Sequence, residues 1–295
     1  MPEVQRGSHL RGAVTRLPPG PSSRLRWGES VSLQVSPDGG FFDLGNVGFA
    51  EATLALRLAA KAAVQDAANL PFEILPPRST RVRQFLARAG LAEAMGIEQP
   101  PSRRDILLPI TRIACPGDVE EVAERLLTAV HKHTPSELEV GGDALMLAFS
   151  ELCDNACTHG HSDHGAFVLA HRFGASRLVL AVGDIGVGIP EHLGAALGEA
   201  LSEADEGEVI AEALKPDVTG IAHAKRGNGL PKIIETISEL DVPEAEFGIW
   251  SGVGRVTIKL RNPPANRRNV RVVESLTQGT WTEVVLTSKA GHRAS

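Results

Sequence analysis

The sequence predicts an α/β protein whose helices and strands come in blocks, a two-layer sandwich with an antiparallel or mixed sheet. Three observations predict it. "GAFVLAHRF" and "SRLVLAVGD" are apolar strands separated by a short "GAS" turn, the pattern of a hairpin. "EFGIWS", "GRVTIKLRN" and "TWTEVVLTS" follow one another as strands at the end of the chain. Helices and strands come in blocks instead of alternating one by one, which argues against a βαβ repeat.

Taken in order, the polar stretch through Gly28, rich in Gly, Pro and Arg, predicts a disordered tail over 1–28. A small α/β unit is expected over 29–100. "ESVSLQV" reads as a strand and "NVGFAEATLALRLAAKAAVQDA" as an Ala/Leu-rich helix. "PFEILPP" is a short strand stopped by prolines. "STRVRQFLARAGLAEAMG" is a helix with Ser79 as its cap and Gly90 as a break or terminator. Pro100 and Pro101 mark a linker. The second unit, 101–290, opens with the strand "ILLPITRIA". "GDVEEVAERLLTAVHKHT" has helical periodicity with acids in its first turn, where the helix dipole favours them. "GGDALMLAFSELCDNACTHG" is the next helix, and "NGLPKIIETISEL" another.

Composition excludes several classes. The chain has 295 residues, 42% hydrophobic and 22% charged, with a net charge of -6 and no strong basic cluster, so nucleic acid is not the expected partner. No apolar run approaches the roughly 20 residues of a membrane span. Three cysteines make no disulfide framework, and a cytoplasmic location is expected. "GDIGVGIP" lacks the third glycine of a dinucleotide fingerprint, because position 191 is Glu191, and no P-loop occurs.

Candidate chemistry concentrates in "SELCDNACTHGHSDHG". Leu145, Ala148, Phe149, Leu152 and Ala156 recur at three- and four-residue steps and form a buried stripe. Glu151, Asn155 and His159, spaced by four, share another stripe. A carboxylate there can take a proton and an amide oxygen can ligate Mg²⁺, although the same pair could simply face solvent. Cys153, Cys157, His159, His161 and His164 offer zinc ligand types, but the cysteines lie on or beside the core stripe. A thiol nucleophile lacks a base–orienter pair. Two further segments favour a nucleotide. "VGDIGVGIP" puts Asp184 at a strand end, able to accept from an exocyclic amine, with Gly186 and Gly188 allowing close backbone approach. "KRGNGLPKI" puts Gly227 and Gly229 at a helix start, an anion site, beside Lys225, Arg226 and Lys232.

This ordered set resembles the motifs of the GHKL ATPases, a family that includes DNA gyrase B, heat-shock 90 chaperones, histidine kinases and mismatch-repair ATPases. "ELCDNACTHG" is similar to their N-box, "DIGVGIP" to the G1 box, "RGNGL" to the G2 box, and "GT" at Gly279–Thr280 to the motif before the last strand. The resemblance covers about 104–288. It implies a mixed sheet with helices on one face, ATP and Mg²⁺ as ligands, Glu151 as base and Asn155 as Mg²⁺ ligand. It further implies that Asp184, Gly186, Gly188 and Thr280 surround adenine, and that Gly227, Asn228, Gly229 and Leu230 surround the phosphates. "NACTHG" is most similar to the anti-sigma-factor serine kinases. That resemblance implies ATP hydrolysis or Ser/Thr phosphorylation of a regulatory or sigma-type protein partner, and leaves room for a homodimer. The alternative is a nucleotide-gated binding module with little turnover. The segment between the two glycine motifs, about 190–225, is expected to be a lid, mobile without ligand and ordered by the γ-phosphate. "FEILPPRSTRVRQFLARAGL" resembles part of a STAS domain. The equivalent of that family's target loop, "FFDLGNVGFAE", has no Ser or Thr.

Overall fold

A computed structural model describes residues 23–27, 31–36, 39–99, 102, 104–114, 116–133, 142–160, 162–174, 176–197, 206–216, 229–240, 242–261 and 267–288. Strands β1 (Ser23–Trp27), β2 (Val31–Ser36) and β3 (Gly39–Asp43) form an antiparallel meander. β1 falls inside the stretch expected as a tail; residues 1–22 of that stretch lie outside the described residues. β3 runs parallel to β4 (Phe72–Leu75). A parallel pair needs a crossover, and helix α1 (Ala52–Ala67) supplies it. Ser79 caps α2 (Thr80–Leu86), its Oγ accepting from the Val82 N–H at 3.4 Å. The helix continues into a wider turn over Ala87–Leu91, where Gly90 takes φ +131°, a conformation that an L side chain rarely adopts.

The second sheet has the order β5-β6-β7-β9-β8, made of β5 (Ile106–Ile113), β6 (Ala166–Phe173), β7 (Arg177–Asp184), β8 (Glu244–Arg261) and β9 (Arg267–Thr287). Every pairing in it is antiparallel, which corrects the mixed sheet implied by the resemblance. The short connections from β6 to β7 and from β8 to β9 make hairpins, and hairpins pair antiparallel by geometry. "EFGIWS" and "GRVTIKLRN" are one strand, β8, with an irregularity from Ser251 to Gly254.

Helices α3 (Asp118–His133), α4 (Gly142–His159), α5 (Ile189–Leu197), α6 (Glu206–Ala213) and α7 (Gly229–Ser238) belong to the same segment. Leu126, Phe149, Leu152, Ile210 and Ile233 pack with Val168, Leu180 and Val284 of the sheet, which gives the expected α/β sandwich. The sheet's other face is also covered. Phe167, Leu169, Val179, Ala181, Trp250, Trp281 and Val285 pack with Leu54, Leu58, Val82 and Leu86 of α1 and α2. α1 thus meets β4 of the small sheet and β6, β7 and β9 of the large one. Its first half is buried on every side, Thr53 and Arg57 included.

In the described part of the expected lid, α6 packs against the main core. Ile210, Ala211 and Leu214 belong to the main core, with Ile210 fully buried. α6 is held to β8 by its apolar side chains and by Glu206, whose Oε2 accepts from the Val253 N–H at 2.6 Å. Residues 198–205 and 217–225 lie outside the described residues. Ile210→Ala should therefore cost about 2–5 kcal/mol of stability, the range for a buried Ile truncated in a packed core. Denaturant unfolding without nucleotide measures it, and a lid helix with no structural role would give a change near zero.

Candidate functional site

Asp184 ends β7 and is only 2% exposed. An ionised carboxyl out of water needs donors, and the backbone provides them. The Gly186 N–H donates to Oδ1 at 2.7 Å, and the Thr280 N–H donates to the same carboxyl. The chain closes tightly around this point. A Cβ on Gly186 would overlap the Gly160 carbonyl oxygen, and one on Gly160 would stand 2.8 Å from Asp184 Oδ1. Gly279, at φ +78°, leaves no room for a Cβ against the Asp184 carbonyl. The Val187 N–H donates to the Gly160 carbonyl at 3.0 Å, which ties the turn after β7 to the end of α4. Burial outweighs the two donors and raises the Asp184 carboxyl to about 7.

Ser251 completes this region, and the sequence reading missed it. It is fully buried on β8. Its Oγ accepts from the Ile189 N–H at 2.9 Å, donates to the Gly279 carbonyl at 2.9 Å and lies 3.2 Å from Thr280 Oγ1. One hydroxyl thus joins β8, the start of α5 and the Gly279–Thr280 turn. No local pattern flags it, because its role depends on β8 and β9 pairing Ser251 with Thr280.

The other half of the site lies on α4 and α7. Gly229, the first residue of α7, faces Glu151 and Asn155. A Cβ built on it would stand 2.9 Å from Glu151 Oε2 and 3.6–3.7 Å from the terminal atoms of Asn155. The absent side chain lets a carboxylate and an amide approach the backbone at the start of a helix, whose first N–H groups have no partner within the helix. Lys232 Nζ reaches Glu151 Oε1 at 3.4 Å from one turn into α7. Leu230 packs against the main core and so holds that helix start on α4. From Glu151 to Gly160 the helix rises about 13 Å, so the Glu151–Asn155 end and the Asp184 end stand apart along one helix.

Glu151, Asn155 and Gly229 are therefore brought together, and so are Asp184, Gly186 and Thr280. Gly188, at φ +83°, borders the second group; a Cβ on it would stand 2.7 Å from Ser251 Oγ. Gly227 and Asn228 lie outside the described residues, as do Lys225 and Arg226. Cys153 is buried in the core stripe, and burial pushes its thiol well up, away from thiolate chemistry. His159 packs its ring edge-on against His192 of α5, 5.1 Å between centroids. Among the described residues no three His, Cys, Asp or Glu side chains cluster as metal ligands. Mg²⁺ needs no such cluster, since it is held by water, substrate phosphates and one or two protein oxygens. Asn155 fits that demand. Its Nδ2 is out of solvent without a hydrogen-bond partner, and half a turn of the amide puts Oδ1 at the same place.

Fold and site together define an α/β protein with a two-ended site: a buried carboxyl at a strand end, and a carboxylate–amide pair facing a helix start. No family model matches the chain, and no curated protein matches it. Among solved structures it is similar to the topoisomerase IV ATP-binding domain of Francisella tularensis in complex with a small-molecule inhibitor. The identity is 14% and the TM-score 0.20, over 38% of this chain and 28% of that one. So partial a likeness adds nothing to the geometry above.

The raised carboxyls give a pH signature. Burial lifts Asp184 from 3.8 to about 7, and burial likewise lifts Glu283 from 4.5 to about 7. Between those values the folded protein holds protons that the unfolded chain has released. The stabilising contribution is full at the acid end of that window and is lost as pH rises to about 7. Melting temperature should fall from pH 5 to pH 8 on account of these two groups. Asp184→Asn, which cannot ionise, should flatten the profile in thermal melts without ligand; an unchanged slope would count against the buried carboxyl.

Proposed function

We propose that this chain is a Mg-ATP-binding regulatory protein that hydrolyses ATP or transfers its γ-phosphoryl group to a Ser or Thr of a protein partner. The observation that carries the reading is the close approach of Glu151 and Asn155 to the Gly229 end of α7, where a Cβ would stand 2.9 Å from Glu151 Oε2. The order of the motifs supports it, since it resembles that of the GHKL ATPases and anti-sigma-factor kinases. A sigma-type or other regulatory partner, a STAS-like unit over 29–100, an ATP-binding domain over 101–290 and a cytoplasmic location belong to the same proposal.

In this reading Asp184 accepts from the exocyclic amine of adenine, and the Gly186 and Thr280 N–H groups hold the carboxyl in place for it. The open N–H groups at Gly229 receive phosphate oxygens, with Gly227, Asn228 and Leu230 alongside. Asn155 would hold Mg²⁺, which supplies positive charge to the phosphates. Glu151 orients the attacking water or hydroxyl and takes its proton. One observation favours the alternative of a nucleotide-gated binding module: Glu151 Oε1 already faces Lys232 at 3.4 Å. A nucleophile must displace that contact or use the second oxygen.

Mg-ATP should stabilise the protein by about 2.7 kcal/mol at roughly 100 times Kd. Asn155→Ala should remove most of this gain, and GTP should stabilise less than ATP. Equal melting shifts for wild type and Asn155→Ala would defeat the assignment.

Glu151→Gln keeps the shape of the side chain and loses the basic oxygen. It should retain ATP binding and lose phosphate release or transfer in single-turnover assays. Full retention of turnover would remove Glu151 as the base.

A further inference from the structure

Thr53, Arg57 and Lys61 stand at four-residue steps on α1, along one stripe of the helix. Each meets a successive residue of β9. The Thr53 N–H donates to the Glu283 carboxyl. Arg57 lies over Trp281, Cζ 5.6 Å from the ring centroid, and 6.0 Å from that of Trp250. Lys61 Nζ donates to Gln278 Oε1 at 2.8 Å. Arg57 is 9% exposed; burial lowers it to about 10, so it remains a cation at neutral pH.

The β9 residues gripped in this way form the turn that holds Asp184. The β8–β9 register passes from Ser251↔Thr280 to Gly252↔Thr277, so Gln278 and Gly279 bulge out of the ladder. The Trp281 Nε1–H donates to the Gln278 carbonyl at 2.9 Å and closes the bulge. Trp281 also fills the space beside Gly183, where a Cβ would overlap its ring. The Thr280 N–H then reaches through to Asp184 on the other face.

We propose that α1 is the back support of the base-recognition end of the site, and that Arg57 and Lys61 are positioning residues acting through the Gln278–Trp281 bulge on Thr280 and Asp184. The inference rests on the ATP reading above and gives the N-terminal segment a part in it. It separates the two ends of the site, because Glu151, Asn155 and Gly229 lie on α4 and α7, away from α1.

The test is equilibrium binding of ATP, GTP and inorganic triphosphate, each with Mg²⁺, to the full chain and to Lys61→Met, Arg57→Met and Arg57→Lys. Lys61→Met removes one partly exposed contact and guards against a failure of the buried Arg57→Met to fold. ATP affinity should fall about threefold to tenfold in Lys61→Met, the effect of one misplaced hydrogen bond. The preference for ATP over GTP should narrow, and triphosphate affinity should hold. Arg57→Lys, which keeps the cation, should fall between wild type and Arg57→Met. ATP should change tryptophan emission in the wild type, and the change should shrink in the variants. Unchanged ATP and GTP affinities in folded Lys61→Met, or equal losses for ATP and triphosphate, would overturn the inference and leave the ATP reading standing. A wild type that binds triphosphate but not ATP would overturn both.

Discussion

Everything in the site depends on one constraint: a carboxyl must sit inside the protein with backbone packed against it. Burying Asp184 without donors would cost several kcal/mol. The Gly186 and Thr280 N–H groups offset that cost, and they can approach only because Gly160, Gly186 and Gly279 carry no side chain. These glycines belong to the end of α4, the turn after β7 and the bulge of β9. The end of α4, the turn after β7 and the bulge of β9 are thereby drawn together around Asp184, and Ser251 ties β8 to them through its hydroxyl. The buried end of the site is closely packed, with backbone against backbone. The Glu151 end is built differently, from side chains that are partly exposed and joined by an ion pair worth little in isolation.

The second determinant is the large sheet's two apolar faces. β6 and β7 alternate between a set facing α4 and a set facing α1, and neither set is polar. A sheet of this kind cannot stand with one face in water, so the helix layer and the N-terminal segment are both obligatory covers. The far face is where charge enters the core. Arg57 lies over two neighbouring indole rings, and Glu283 receives the first turn of α1. Those contacts set where α1 lies along β9, whereas apolar packing alone would tolerate sliding.

Much of this was legible in the residues. Helical stripes located α3 and α4, Ser79 marked a helix start, and Asp184 with its glycines marked a strand end. The run "RLVLAVGD" also carried the two-sided burial of β7, because an uninterrupted apolar strand is covered on both faces; the expectation of helices on one face left that signal unused. The lid expectation followed from the acids and glycines of 190–225. It did not use Ile210, Ala211 and Leu214, apolar residues in and just after α6 that belong to the main core. Ser251 and the α1–β9 register were out of reach, because each depends on partners tens to hundreds of residues away.

That last separation has a consequence for how the chain is made. Lys61 and Gln278 are 217 positions apart, and Thr53 and Glu283 are farther still. Contacts of such range form late, since the loop between them must close before they contribute. In synthesis β4 follows α1 closely, whereas β9, the strand that meets Thr53, Arg57 and Lys61, follows much later. Until then β6 and β7 can cover part of its apolar face, but Thr53, Arg57 and Lys61 lack the β9 partners they have in the finished fold. The register of α1 on the large sheet is therefore settled only when the end of β9 arrives.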